Sequence, residues 1–81
     1  MSDTQNAVRE ILAAHGRLST DAATQDADAD LYAAGMTSHA SVNVMMACED
    51  DLDVEFPDEM LNRETFATIA SISRAVDSLK A

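Results

Sequence analysis

Residues able to do chemistry are few in this sequence, and three of them adjoin one another. Ser38 stands between Thr37 and His39, shortly after Gly35. A serine beside a histidine invites comparison with hydrolases, but adjacent residues of a helix do not face one another, so the pair is unsuited to nucleophilic catalysis. His15 is the only other histidine. We therefore predict no catalytic residue and a protein that is not an enzyme.

Two acidic runs match metal-binding loops only in part. Asp26, Asp28 and Asp30 stand at the first three ligand positions of a calcium loop. Leu31 replaces the glycine of the sharp turn, however, and Thr37 replaces the final bidentate glutamate. The run that begins at residue 51 fails at the same two positions, and the single cysteine and two histidines lack the paired spacing of a zinc site. The sequence predicts no metal site.

Length and composition favour one small helical domain over residues 1–81. Hydrophobic residues make up 47% of the sequence, which contains two glycines and one proline. This composition argues for a packed domain and against disorder. A chain of this length buries roughly 60% of the surface that its unfolded form exposes, so we expect no deep active-site cleft.

The charge balance restricts the partners. Fifteen acidic side chains against five basic ones give a formal net charge of -10, which repels nucleic acid and anionic membrane surfaces. The sequence has no apolar run of bilayer length, and its first residues lack the pattern of a signal peptide. Cys48 has no second cysteine to pair with, so we expect a cytoplasmic protein. With no uncovered apolar stripe evident, we expect a monomer.

Hydrophobic periodicity predicts four helical segments and no strand. The first segment spans about residues 3–15, and Gly16 is placed to stop it. Residues 18–30 are rich in Ser, Thr and Asp and predict a loop that is long for a compact domain. We expect Leu31 and Tyr32 to attach this loop to the core.

The other helical segments follow in the second half of the chain. One begins at Thr37 or Ser38 and ends near residue 52. A short turn of helix follows Pro57, because proline suits the first helical turn. The last helix spans about residues 68–79. The predicted fold is a small all-α four-helix bundle with three longer helices and one short one.

The second helix has an apolar series that we predict to face the core, formed by Val42, Met45, Met46 and Leu52. Its opposite side is predicted to face solvent and carries Asn43, Ala47, Asp50 and Asp51. Carboxylates continue beyond the helix in what we name the acidic strip: Asp50, Asp51, Asp53, Glu55, Asp58 and Glu59. We predict that this strip steers the protein toward basic partners, with Thr37, His39 and Asn43 completing the docking surface.

The order of these motifs resembles the acyl carrier protein family. The matching features are Asp30-Leu31 ahead of Gly35, Ser38 at a helix start, an acidic helix end, Phe56-Pro57-Asp58-Glu59 and Phe66-Ala67-Thr68-Ile69. The match covers nearly the whole chain in order. The resemblance implies the bundle of an acyl carrier protein and a 4′-phosphopantetheine arm joined to Ser38 through a phosphodiester.

Such an arm holds an activated acyl or aminoacyl group as a thioester and delivers it between partner enzymes. Many carrier proteins have Asp-Ser-Leu at the attachment point, whereas this chain has Thr37-Ser38-His39. Serine and threonine are also favoured helix caps. The alternative hypothesis is therefore an unmodified acidic helical adaptor that docks to a basic partner and uses Ser38 only as a cap.

The resemblance also implies partners. They are a phosphopantetheinyl transferase, a ligase that activates the cargo and a downstream acyl acceptor enzyme. Residues 35–42 and 61–66 look similar to a bacterial subgroup of amino acid carrier proteins, which accept a small amino acid from a ligase related to seryl-tRNA synthetase. The cargo stays open between an amino acid and a fatty or polyketide acyl group.

Overall fold

The computed structural model of the protein describes residues 3–16, 18, 21–22 and 24–80. Within these ranges the chain forms helices and turns and no β-strand, so the predicted all-α class is confirmed. None of the described helices is long and apolar enough to cross a bilayer. Residues 19, 20 and 23 of the predicted loop lie outside the described residues.

Three α-helices make up the bundle: α1 (Asp3–His15), α2 (Ser38–Leu52) and α3 (Ile69–Lys80). The predicted bounds of α1 and α2 are confirmed. The helix α1 stops at Gly16, where an added Cβ would lie 2.9 Å from the Leu12 carbonyl oxygen. In place of the predicted short fourth helix, the structure has one 3₁₀ turn, Asp58–Met60, preceded by Pro57 as its N-cap.

Helix α3 begins one residue later than predicted because Thr68 caps it from outside. The Thr68 hydroxyl accepts a hydrogen bond from the Ser71 N–H at 2.9 Å, and the Ser71 hydroxyl in turn accepts one from the Thr68 N–H at 3.1 Å. This is the reciprocal arrangement of a capping box, with serine at the place usually held by Glu or Gln. Two backbone donors of the first turn are thereby satisfied.

The core is assembled from one apolar stripe of each helix, and α1 packs against both α2 and α3. The largest fully buried side chains are Val8 and Leu12 of α1, Leu31 of the following loop, Val44 of α2, and Ile69, Ile72 and Val76 of α3. The rings of Phe56 and Phe66 add a tilted aromatic pair with centroids 5.4 Å apart. Helix α1 therefore covers the apolar sides of both α2 and α3.

The long connection between α1 and α2 is attached at several points. Leu31 is fully buried, and its N–H donates to the Ala67 carbonyl at 2.7 Å, as expected of a residue that fixes the loop. Tyr32 is half-buried and packs against the core. The guanidinium of Arg9 donates to the carbonyls of Ala22 and Gln25, which joins the loop to α1. The role of Arg9 was not predicted, because no local pattern marks a contact between α1 and this loop.

The predicted orientation of α2 is confirmed only in part: Asp50 and Asp51 are exposed, but the predicted inward side is not the buried one. Val42 and Met46 are 49% and 47% exposed, whereas the buried residues of α2 are Ala40, Ser41, Val44 and Cys48. Met45 and Leu52 pack partly against the core, and Asn43 and Ala47 are half-buried instead of facing solvent. Apolar side chains lie on both sides of this helix, so hydrophobic periodicity alone did not decide which side faces the core. The stripe of smaller side chains faces inward, where it lets α2 approach its neighbours closely.

A matched pair of substitutions tests this orientation. Val44→Ala removes two fully buried methyl groups and should lower the free energy of unfolding by roughly 1.5–3 kcal/mol. Val42→Ala makes the same chemical change at an exposed site and should stay within about 0.5 kcal/mol of the wild type. Urea denaturation measures the free energy of unfolding of both variants. Because each replaces valine by alanine within α2, the change in helix propensity is the same in both and does not affect their comparison. Equal losses for the two variants would contradict the observed orientation.

Candidate functional site

The start of α2 is set by a tight turn that precedes it. Gly35 has φ of 113°, a conformation that residues with a Cβ rarely adopt, and the Met36 N–H closes the turn on the Leu31 carbonyl at 3.0 Å. The carboxylate of Asp30 accepts a hydrogen bond from the Tyr32 N–H at 2.9 Å. Asp30 therefore stabilises the turn, which directs the chain into the helix.

Thr37, and not Ser38, caps α2. The Thr37 hydroxyl accepts a hydrogen bond from the Ala40 N–H at 3.0 Å, and the backbone of Thr37 is extended, as is typical of an N-cap. Ser38 is the first residue of the helix and is exposed. Its hydroxyl has no hydrogen bond to any described residue. The neighbouring hydroxyl of Ser41 is buried and donates to the Ser38 carbonyl at 2.7 Å.

A cleft of about 550 Å³ opens beside Ser38. It lies between the first half of α2 and the segment that precedes α3, and its mostly apolar lining includes Tyr32, Ser41, Val42, Met45, Leu61 and Phe66. Sequence analysis had predicted no deep cleft, and this one was missed because its walls come from segments distant in the chain. Its position places an exposed hydroxyl at the edge of an apolar groove.

Arg63 supplies the positive charge of this cleft. Its guanidinium carbon lies 3.9 Å from the centroid of the Tyr32 ring, a cation–π contact worth about 0.5–1 kcal/mol at an exposed site. The adjacent Asn62 holds the turn in place: its side-chain NH₂ donates to the Glu59 carbonyl, and its oxygen accepts from the Thr65 N–H at 2.9 Å. The sequence pattern did not single out Arg63, because the contact with Tyr32 spans thirty-one positions (63 − 32).

The acidic strip lies at the other end of α2. All six of its carboxylates are exposed, as predicted. At a rise of 1.5 Å per residue, Asp50 lies about 18 Å from Ser38 along the helix axis. Thr37 and His39 are exposed beside Ser38, whereas Asn43 is half-buried. The structure therefore does not gather the predicted docking residues into one cluster at Ser38.

Glu49 adjoins the acidic strip in sequence but is not part of it. Its carboxylate accepts a hydrogen bond from the Phe56 N–H at 3.0 Å and is half-buried. This contact turns the chain back after α2, where Asp53 adopts a left-handed conformation with φ of 54° as the C-cap. Glu49 thus helps to bring Phe56 into the core.

Cys48 is fully buried, as predicted for a small packed residue. Burial, followed by the nearby charges of Asp51 and Glu49, raises the pKa of its thiol to about 12. The thiol is therefore protonated near neutral pH and is not a nucleophile. No group of three or more His, Cys, Asp or Glu side chains placed to hold a metal ion occurs among the residues that the structure describes.

Comparison with known proteins places this chain in a family. Residues 6–76 match the family model described as the phosphopantetheine attachment site, and the chain belongs to that family. It is 51% identical to an aminoacyl carrier protein of Agrobacterium fabrum (strain C58 / ATCC 33970) over 69 residues, which cover 85% of this chain and 83% of that protein.

Solved structures agree with the fold. A chain in the crystal structure of an engineered Bradyrhizobium japonicum glycine:[carrier protein] ligase, complexed with carrier protein from Agrobacterium tumefaciens and ATP, matches with a TM-score of 0.88 and 47% identity, covering 93% of this chain and 97% of that one. A solution structure from Agrobacterium tumefaciens matches with a TM-score of 0.74 and 46% identity, covering 94% and 92%.

The protein is thus a carrier whose prosthetic group is 4′-phosphopantetheine, and the resemblance predicted from the sequence is confirmed. The site fits such a group, since it offers an exposed hydroxyl not needed by the fold, an apolar groove beside it and one cation in that groove. The function is to hold an activated acyl or aminoacyl group as a thioester on this arm.

The assignment of the helix cap to the Thr37 hydroxyl and not to the Ser38 hydroxyl can be tested. Thr37→Ala removes the cap and should lower the free energy of unfolding by about 1 kcal/mol. Ser38→Ala should change it by less than about 0.5 kcal/mol, because the Ser38 hydroxyl is exposed and stabilises nothing in the described structure. Denaturant titrations of the unmodified proteins would measure both. A larger loss for Ser38→Ala than for Thr37→Ala would contradict the assignment of the cap.

Proposed function

We propose that Ser38 carries the phosphopantetheine arm and that the cargo is an amino acid. Attachment at Ser38 is supported by the hydrogen bonding and burial of the three hydroxyls at the start of α2, those of Thr37, Ser38 and Ser41. Thr37 is engaged as the cap, and Ser41 is buried and bonded to a carbonyl. Only the Ser38 hydroxyl is both exposed and without a hydrogen bond within the described part of the chain.

The start of α2 also suits an attached phosphodiester. The first N–H groups of a helix lack intrahelical partners and form the positive end of the helix dipole, which favours an anion there. In a chain of fifteen acidic residues, the first turn of α2 contains none. A phosphodiester on Ser38 would occupy the place that a carboxylate fills in many helices. Thr37, which stands where many carrier proteins have Asp, keeps the capping role without adding a competing negative charge.

The arm supplies a thiol on which the cargo is held as a thioester. The chain itself contributes attachment at Ser38, a groove beside it and protection from side reactions. Cys48 would be the one internal competitor for a thioester, but it is fully buried and its raised pKa keeps the thiol protonated. The cargo therefore stays on the arm until a partner enzyme takes it.

Similarity to relatives supports an amino acid as the cargo. One relative is named an aminoacyl carrier protein, and another appears in complex with a glycine:[carrier protein] ligase. We propose that a ligase of this class loads the present carrier, that a phosphopantetheinyl transferase modifies it first, and that a downstream acceptor enzyme receives the amino acid. In this role the carrier has no catalytic activity of its own and resides in the cytoplasm, where the unpaired Cys48 remains a thiol.

Docking would involve both ends of α2. Thr37, His39, Val42 and Met46 are exposed near Ser38 and offer a short-range contact surface that is partly apolar. The acidic strip at the far end offers long-range attraction to a basic partner. In the alternative hypothesis of an unmodified adaptor, Ser38 serves only as the cap of α2. The cap in the structure is Thr37 instead. No observation therefore favours the adaptor over the carrier.

Attachment at Ser38 can be tested by intact mass spectrometry. After incubation with coenzyme A and a broad-specificity phosphopantetheinyl transferase, the wild-type protein should gain the mass of one phosphopantetheine group. Ser41→Ala serves as the matched control and should gain the same mass, whereas Ser38→Ala should gain none. A mass gain that survives Ser38→Ala, or a wild-type protein that is never modified, would refute the proposed attachment.

Steering by the acidic strip predicts a slower association with the ligase when charge is removed. The double variant Asp50→Asn/Asp51→Asn should reduce the association rate constant roughly threefold to tenfold at low salt and flatten its salt dependence. The control Glu10→Gln/Asp28→Asn changes net charge equally at exposed positions outside the strip and should have a smaller effect. Stopped-flow measurements of the association rate constant with a glycine:[carrier protein] ligase, at several salt concentrations, test this prediction. Identical rates for the two variants would rule out a role specific to the strip.

A further inference from the structure

Arg63 is unusual among the charged residues of this chain. The sequence has fifteen acidic and five basic side chains, and Arg63 is the only Lys or Arg between Arg17 and Arg74. In such an acidic protein, an exposed guanidinium would be expected to pair with a carboxylate. Within the described residues Arg63 forms no ion pair and no hydrogen bond. Its one described partner is the ring of Tyr32, at 3.9 Å.

A cation–π contact leaves the hydrogen-bonding capacity of an arginine unused. The contact with Tyr32 involves the charge of the guanidinium, and none of its five N–H donors makes a hydrogen bond to another described residue. The turn that carries Arg63 is fixed by the hydrogen bonds of Asn62 to Glu59 and Thr65. Arg63 is thus held in position with its donors available to an anion, preferably a planar or tetrahedral oxyanion such as phosphate.

The surroundings show where that anion would lie. Arg63 and Ser38 line the same cleft, and no carboxylate side chain contributes to its lining. The cleft is therefore locally positive in a molecule whose formal net charge is -10. Attaching a phosphodiester to Ser38 adds a further negative charge to this acidic protein, and among the described residues that line the same cleft Arg63 is the one Lys or Arg. Elsewhere on the surface, the excess of carboxylates would repel the group.

We propose that Arg63, held against Tyr32, binds the phosphodiester of the group attached to Ser38 and so keeps the root of the arm at the cleft. This inference rests on the proposed attachment at Ser38. Arg63 is a positioning residue, since it contacts the phosphodiester and not the thioester end of the arm. Its effect is electrostatic and should weaken as salt screens the charges.

The test compares modified proteins by phosphorus-31 NMR. In folded Arg63→Gln at low salt, the resonance of the phosphodiester should move toward its position in the same protein unfolded in urea. Arg63→Lys keeps the charge and should retain part of the wild-type shift. The control Arg74→Gln removes one positive charge from an exposed position of α3 that does not line the cleft, and should leave the resonance unchanged.

Thermal stability gives a second readout. For Arg63→Gln, modification should lower the melting temperature, relative to the unmodified variant, by about 2–4 °C more than it does in the wild type. Arg74→Gln should behave as the wild type. If both the resonance and this difference are the same in folded Arg63→Gln as in the wild type, the inference is wrong.

Two controls keep the result interpretable. If Arg63→Gln does not fold, a sodium chloride titration of the modified wild-type protein replaces it: the resonance should move toward its unfolded position as salt rises, and a resonance that stays fixed would contradict the inference. Intact mass separates this inference from the proposed function. A wild-type protein that gains no mass contradicts attachment at Ser38, whereas fully modified Arg63→Gln that matches the wild type in both the phosphorus resonance and the melting difference contradicts only the role of Arg63.

Discussion

The hydrogen bond from the Ala40 N–H to the Thr37 hydroxyl satisfies a donor of the first turn of α2 at a distance of 3.0 Å. The exposure of the Ser38 hydroxyl is linked to this cap. Because Thr37 performs it, the next hydroxyl along the chain, that of Ser38, is left exposed and unbonded within the described structure. Modifying a hydroxyl that caps the helix would break a stabilising hydrogen bond, whereas the exposed Ser38 hydroxyl makes none within the described structure. The turn at Gly35 fixes where this pair of residues lies.

Packing of the bundle determines what surrounds that hydroxyl. The inward stripe of α2 consists of small and medium side chains, including Ala40, Val44 and Cys48. Val42 and the larger Met46 lie outward, on the same side of the helix as Ser38, since residues four apart lie on one face. Burial of Cys48 has a chemical consequence as well, because it removes the protein's own thiol from competition with the arm.

Charge is distributed unevenly along α2. Near Ser38 the helix has no acidic residue in its first turn, and the cleft contains Arg63. About 18 Å away, carboxylates such as Asp50 crowd the other end. In the proposed function, the negative far end would attract a basic partner over distance, and the near end, with no carboxylate in its first turn, would accommodate the phosphodiester. On this proposal, one small acidic protein both steers toward enzymes and holds an anionic arm.

Features that depend on neighbours in the chain were predicted from the sequence: the bounds of α1 and α2, the stop at Gly16 and the family. Caps, turns and periodicity act over a few residues, so the sequence shows them directly. Tertiary structure alone decided which stripe of α2 is buried and that Arg63 meets Tyr32. Those outcomes depend on how three helices share one core, and apolar residues on both sides of α2 left more than one arrangement compatible with its pattern.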